Sequence, residues 1–331
     1  MKITVMGDGA WGSALADVLL RNGHEVTMWG PFPDYLAEMA AAGENPRFLP
    51  GVKFAPGIRF EADPARAVRG GEVVVMASPT RFLRSVAQTM KPWFDPRGQM
   101  LVDVAKGIEA ESWKRPSEIV TEVLGPCRLT VVAGPSHAEE VSRGVPTLVV
   151  AASRNADDAR LAQKLLMNEN FRVYTSDDPI GVELGGAVKN VLAVGVGILD
   201  GMELGDNPKA AMMTRAIAEM MRLGVALGGR AETFSGLSGI GDLIVTCTSR
   251  HSRNRRVGEG LGRGRTLAEV QQSLGMMVAE GVEAARGVCA LAERAGVEVP
   301  ICQQIRAILY EGVDPRAAIR TLMTRSPKAE Y

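Results

Sequence analysis

Two lysines occupy settings that suit chemistry better than solvation. Lys106 follows the apolar run Met100-Leu101-Val102-Asp103-Val104 and precedes Gly107, which places it at the tip of a strand. A lysine there can polarise a carbonyl, although a solvated surface lysine is the ordinary alternative. Lys189 lies within an apolar, glycine-rich helical stretch from about residue 180 to 200, followed by Asn190. It is either buried for a purpose or extends its head group to the surface. Desolvation and a neighbouring cation would both lower its pKa toward a useful acid/base range. Gly134-Pro135-Ser136 ends another strand and should open into the same crevice as Lys106.

A nucleotide signature accompanies these groups. Gly7-x-Gly9-x-x-Gly12 directly follows the short apolar strand Ile3 to Met6 and opens a helix, the context that gives this pattern weight. Gly7 makes the turn, Gly9 admits a pyrophosphate, and Gly12 permits close helix–strand packing, with the helix N-terminus facing the phosphates. An acid ending the second strand would select NAD, and a nearby arginine NADP. Trp29-Gly30-Pro31-Phe32-Pro33-Asp34 has neither in place, and Asp34 reads as an exposed turn residue, so the choice between NAD and NADP stays open.

A second glycine-rich stretch, Gly239-Ile240-Gly241-Asp242, has no preceding strand and is not read as another nucleotide fingerprint. Ser252-Arg253-Asn254 follows and should open a helix through Leu261. A guanidinium beside a helix N-terminus suits a phosphate. A solvated basic face or a nucleic-acid surface are the alternatives, but no aromatic residues interleave. His24, His137 and His251 form no recognisable metal or Ser/His/Asp pattern, and no metal site is expected.

The elements that must position these groups change along the chain. Short apolar runs (residues 25–29, 73–76, 100–104, 129–132, 147–150 and 171–174) alternate with helical stretches, predicting a mostly parallel sheet covered on both faces. The first helix is expected over 13–22, with Gly23 as its stop. Beyond about Ser176 helical periods take over. Asn207-Pro208 reads as a cap with proline at the first helical position, and Thr266 to Glu269 as a capping box. The expected fold is α/β: an N-terminal Rossmann-like doubly wound parallel sheet over residues 1–176, plus a C-terminal all-α, substrate-binding domain over 177–331. The glycines of the 180–200 helix, including Gly185, Gly186, Gly195 and Gly197, demand close approach of another backbone or a ligand.

Composition narrows the function. In 331 residues, Lys+Arg and Asp+Glu are both 38, which argues against a broad surface for nucleic acid or anionic lipid. Cys127, Cys247, Cys289 and Cys302 form no Cys-x-x-Cys pair and read as reduced thiols. The N-terminus leaves no room for a signal sequence, and the apolar stretch Val191 to Leu199 is too short to span a bilayer, so a cytoplasmic protein is expected.

Together the motifs resemble the bacterial-type NAD(P)-dependent glycerol-3-phosphate dehydrogenases, over nearly the whole chain from Met1 to about Leu322. The resemblance is carried by Gly7-Asp8-Gly9-Ala10-Trp11-Gly12, Asn45 to Pro50, Ala105-Lys106-Gly107-Ile108-Glu109, Gly134-Pro135-Ser136 and Gly185 to Asn190. It continues through Gly239 to Leu243, Thr246-Cys247-Thr248, Ser252 to Arg256 and Glu280-Gly281-Val282. It implies reversible reduction of dihydroxyacetone phosphate to sn-glycerol 3-phosphate, which feeds phospholipid synthesis. By the same resemblance Lys189 is the general acid/base, Lys106 polarises the carbonyl and touches the cofactor, and Asp242 orients the lysine. Ser252, Arg253 and Asn254 hold the phosphate, and Gly134 and Ser136 line the substrate pocket. Ala10, Trp11, Ala138, Arg253, Val278 and Glu280 contact the dinucleotide. The chain departs from the family at Pro31-Phe32, where a basic or histidine residue is common, and at Ala10, where serine is common. A related dehydrogenase acting on a carboxylate substrate is the competing enzyme reading, and a non-catalytic dinucleotide sensor the reading from another class. A homodimer is allowed by the sequence but not specified by it.

Overall fold

The computed structural model describes residues 1–275, 277–327 and 329–330; the end of the second predicted region, Tyr331, lies outside them. Among the described residues there are ten strands: β1 (Lys2–Met6), β2 (Glu25–Trp29), β3 (Glu44–Asn45), β4 (Leu49–Lys53), β5 (Arg59–Glu61), β6 (Val73–Met76), β7 (Met100–Asp103), β8 (Arg128–Ala133), β9 (Thr147–Ala152) and β10 (Phe171–Ser176). The helices among them are α1 (Ala10–Arg21), α2 (Pro33–Ala42), α3 (Pro64–Gly70), α4 (Thr80–Met90), α5 (Pro116–Leu124), α6 (Ala138–Val141) and α7 (Ala156–Leu166). From Pro179 onward the described chain is helical: α8 (Pro179–Gly201), α9 (Asp206–Ala226), α10 (Ala231–Phe234), α11 (Asp242–Thr248), α12 (Arg253–Gly262), α13 (Leu267–Leu274), α14 (Glu280–Arg294), α15 (Pro300–Tyr310) and α16 (Pro315–Met323).

Eight strands form one sheet in the order β10-β9-β8-β7-β6-β1-β2-β5. Every pairing in it is parallel except β8–β9, which is antiparallel. Helices cover both faces. Ala14, Leu15 and Leu19 of α1 pack with Ala162 and Leu165 of α7 on one side. Val68 of α3, Leu83 of α4 and Ile119 of α5 pack on the other. The chain runs outward from β1 through β2 to β5 and then returns to β6, so the strand order reverses between β1 and β6. Ligands of open α/β sheets bind outside the carboxyl ends at such a point.

Three local expectations need correction. Helix α1 begins at Ala10 rather than Ser13, with Gly9 as its N-cap, so the fingerprint itself is the helix start. Asn207 is not the cap of α9: Gly205, at φ 82°, turns the chain one residue earlier than Asp206, and Pro208 falls in the first turn, where no helical N–H bond is lost. The apolar stretch around Val191 belongs to α8, whose 23 residues are long and apolar enough to cross a membrane; its most apolar window is wholly buried within the fold.

Helix α8 explains its own glycines. A Cβ on Gly185 would lie 2.5 Å from the Ser238 carbonyl oxygen, and one on Gly186 would lie 3.5 Å from Lys106 Cγ. Gly197 lies against the Arg255 carbonyl, and across the same contact Gly258 of α12 lies against the Val194 carbonyl. The two helices touch backbone to backbone, and α12 carries Ser252 to Asn254 at its start. Replacing Gly258 by Ala forces them apart, with an expected loss of about 3 kcal/mol or more in chemical denaturation. Unchanged stability would show that the helices can separate without cost.

Candidate active site

The strand ends of the sheet and the buried face of α8 meet at one carboxylate. Asp242, the first residue of α11, is 1% exposed. Its Oδ1 accepts from Lys189 Nζ at 2.7 Å and its Oδ2 accepts from Lys106 Nζ at 2.9 Å. Lys189 comes from mid-α8 and Lys106 from the loop after β7, so Asp242 joins the helical region to the sheet.

The local structure makes this meeting possible. Residues 237–241 form a π-helical turn that leads into α11, a wider coil often found at functional positions. Gly185 lets that turn settle on α8, and Lys189 lies one helical turn further along the same face. Gly134, at φ 148°, directly follows β8; a Cβ there would lie 2.9 Å from the Val149 Cα, so only glycine fits. Its carbonyl accepts from Lys106 Nζ at 2.9 Å, and Ser136 Oγ accepts from the same ammonium at 3.3 Å.

The two lysines differ in what they have left to give. The three N–H groups of Lys106 are met by Gly134, Ser136 and Asp242, the Ser136 contact being the longest. Lys189 donates to Asp242 and, at 2.7 Å, to Thr246 Oγ1, which leaves one N–H uncommitted. Burial is the main influence on Lys189 and Lys106 adds to it; against the pull of Asp242 they lower its pKa to about 8. Burial alone would raise the Asp242 carboxyl, but the two ammonium groups outweigh it and hold the group below its ordinary value.

A chain of amides fixes the surroundings. Asn190 Nδ2 donates to the Lys106 carbonyl, Asn254 Nδ2 donates to Asn190 Oδ1, and the Gly281 N–H donates to Asn254 Oδ1, each at 2.9 Å. The chain crosses α8, α12 and α14. Ser252 caps α12, its Oγ accepting from the Arg255 N–H, and Arg253 donates to the Val278 carbonyl at 3.2 Å. Glu280, at the start of α14, accepts from the Thr80 N–H at 3.1 Å, tying α14 to α4.

The predicted residues therefore fall into connected groups. Lys106, Gly134, Ser136, Lys189 and Asp242 are in direct contact, and Asn254 joins them through Asn190. Ala10 and Trp11, which begin α1, share one hydrophobic cluster with Ala138, which begins α6. Sequence reasoning quoted Thr246 within a motif but gave it no task; its spacing of four from Asp242 on one helix was the available signal. His137 and His251 come within 6.0 Å, ring centre to ring centre. Burial, followed by the field of Lys189, lowers the His137 pKa. Among the described residues no group of His, Cys, Asp and Glu could hold a metal ion.

The loop after β1 fits a dinucleotide. Gly7, at φ 138°, lies against the Ala77 backbone, and a Cβ on Gly9 would meet open space. Gly9 caps α1 without a side-chain bond, leaving first-turn N–H groups for an anion. Two buried polar atoms, Asp8 Oδ2 in this loop and Trp11 Nε1 in the first turn of α1, have no hydrogen-bond partner among the described residues.

Comparison with known proteins agrees with this geometry. The family model for the NAD-dependent glycerol-3-phosphate dehydrogenase N-terminus matches residues 2–159, and that for the C-terminus matches residues 178–320. The chain belongs to this family. A relative from Chlorobium phaeobacteroides (strain BS1), named glycerol-3-phosphate dehydrogenase [NAD(P)+], is 48% identical over 100% of this chain and 99% of its own. One of the same name from Moorella thermoacetica is 47% identical over 98% of this chain and 96% of its own. The crystal structure of glycerol-3-phosphate dehydrogenase from Coxiella burnetii superposes with a TM-score of 0.94 at 39% identity, covering 98% of this chain and 99% of that one.

Proposed function

We propose that the protein catalyses the NAD(P)H-dependent, reversible reduction of dihydroxyacetone phosphate to sn-glycerol 3-phosphate, supplying glycerophospholipid synthesis. The observation that carries this reading is the buried Lys189–Asp242–Lys106 bridge at the carboxyl ends of β7 and β8. Membership of the family supports it, as do the names of the relatives.

The site residues take these roles. The nicotinamide, when bound, would supply the hydride chemistry at C2 of the ketone in either direction. Lys189 holds the proton that the C2 oxygen needs: Asp242 and Thr246 fix two of its N–H groups and the third is left for substrate. Its lowered pKa makes the proton easier to give than that of a solvated lysine. Lys106 polarises the same carbonyl by exchanging its longest contact, to Ser136, for the substrate oxygen. Arg253 and the start of α12 take the phosphoryl group, helped by Ser252, whose hydroxyl proton is uncommitted, and by Asn254. Gly134 and Ser136 line the substrate side. Gly7, Gly9, Ala10, Trp11, Gly12, Lys106, Ala138, Arg253, Val278 and Glu280 hold the dinucleotide. In this account residues 1–176 are the dinucleotide-binding domain and the remainder the substrate domain. The four cysteines are unpaired, which suits a reducing cytoplasm.

Three substrates test the reading: dihydroxyacetone phosphate, unphosphorylated dihydroxyacetone and a 2-oxo acid, each with NADH and with NADPH. Oxidation of either cofactor should require the phosphorylated ketone. No turnover with it, or faster turnover with the 2-oxo acid, would overturn the assignment.

A further inference from the structure

In the parallel pair β1–β2, Met6 lies beside Trp29 and the Gly7 N–H donates to the Trp29 carbonyl at 3.0 Å. The chain then carries Asp8 and Gly30 side by side at the carboxyl edge of the sheet. The Asp8 side chain lies across Gly30: a Cβ built there would be 2.5 Å from Asp8 Oδ2 and 2.9 Å from its Cγ. Only glycine leaves room for the carboxylate. Asn45 Nδ2 donates to the Asp8 carbonyl at 2.8 Å and fixes the backbone beneath it.

This is the edge at which a nucleotide-binding fold meets the adenosine ribose. The residues that usually meet it from β2 are missing here: Gly30-Pro31-Phe32 carries no charge, and Asp34 lies on the exposed start of α2. Asp8 Oδ2 is buried against Gly30 with no donor among the described residues, while the residue as a whole is only partly buried, so a carboxylate at the sheet edge stands where the missing acid would be. Burial, the largest influence on it, raises the Asp8 carboxyl above its ordinary value. Arg47, whose field reaches Asp8, is otherwise engaged: it pairs with Glu38 at 2.8 Å and stacks 4.1 Å above the Tyr35 ring.

We propose that Asp8 is the cofactor discriminator, taking from the first loop the role usually played at the end of β2 and setting a preference for NAD(H) over NADP(H). Its carboxylate accepts from the ribose hydroxyls, whereas a 2′-phosphate would bring a dianion against it. The inference rests on the dehydrogenase reading above.

The test is direct binding. NADH and NADPH are titrated into the apo protein by fluorescence, and ADP-ribose and 2′-phospho-ADP-ribose by calorimetry. The wild-type protein should bind each unphosphorylated ligand about tenfold or more tightly than its 2′-phosphorylated counterpart. Asp8→Ala and the shape-preserving Asp8→Asn should narrow that ratio to about threefold or less, chiefly by gaining affinity for the 2′-phosphates. Equal or tighter binding of NADPH by the wild type, or an unchanged ratio in a folded Asp8→Asn protein, would overturn the proposal. Failure of all four ligands to bind would overturn the dehydrogenase reading, and the proposal with it.

Discussion

Lys189→Ala should lower kcat for dihydroxyacetone phosphate reduction by about a thousandfold, within the range that a positioned general acid contributes. The loss should fall on kcat and on kcat/KM alike, because the interaction removed is made to the developing alkoxide rather than to ground-state ketone. NADH affinity should be nearly unchanged, since the fingerprint loop lies at β1 and α1 and Asp242 keeps its second partner, Lys106. Stopped-flow binding of NADH, followed by steady-state turnover on the same preparation, separates these quantities. A folded variant that retains a tenth of wild-type turnover would remove Lys189 from proton transfer.

Asp242→Asn should be damaging in two separable ways. The substitution keeps the side-chain shape but removes the negative charge shared by two ammonium groups. Stability should fall by about 3 kcal/mol or more, the usual consequence of leaving a buried charge uncompensated. The sign of its pH dependence follows from Lys189. Without the carboxylate, its pKa drops further below the ordinary lysine value of 10.5. In the window between that lowered pKa and 10.5 the unfolded chain binds the proton and the folded chain does not, so stability rises with pH there. The deficit relative to wild type should therefore be larger at pH 6 than at pH 9, as measured by chemical denaturation. Turnover should fall by about a hundredfold or more at pH 7, because Lys189 loses its proton and both lysines lose their anchor. A deficit independent of pH would mean that the carboxylate serves only as a packing element.

Much of this arrangement was legible in the sequence. The strands at 25–29 and 73–76 stand where their apolar runs predict, because buried parallel strands are short, apolar and bounded by turns. Lys106, Gly134 and Ser136 could be placed together because strand ends of one sheet open on the same edge. Lys189 was conspicuous as a charge on an apolar helix. What stayed hidden depends on contacts distant in the chain. The reversal of β9 against β8 leaves no mark on composition, since both are short runs rich in β-branched and apolar residues. The amide chain from Asn190 to Gly281 needs three helices packed together before any of its bonds exists. The π-helical turn at 237–241 includes Gly239 and Gly241, a stretch that sequence alone marks only as glycine-rich and without a preceding strand. Asp8 meets Gly30 only through the register of β1 on β2, a contact that the second strand read alone does not reveal.

The most direct test of the account is the pH dependence of kcat/KM in both directions on one enzyme preparation. If Lys189 carries the proton, with its pKa near 8, ketone reduction needs it charged and alcohol oxidation needs it neutral. The reduction profile should then be level below about pH 8 and fall above it, while the oxidation profile rises to about the same pH and levels off. Two profiles that bend in the same direction, or neither of which bends near pH 8, would contradict the assignment of Lys189 as the acid and base of this site.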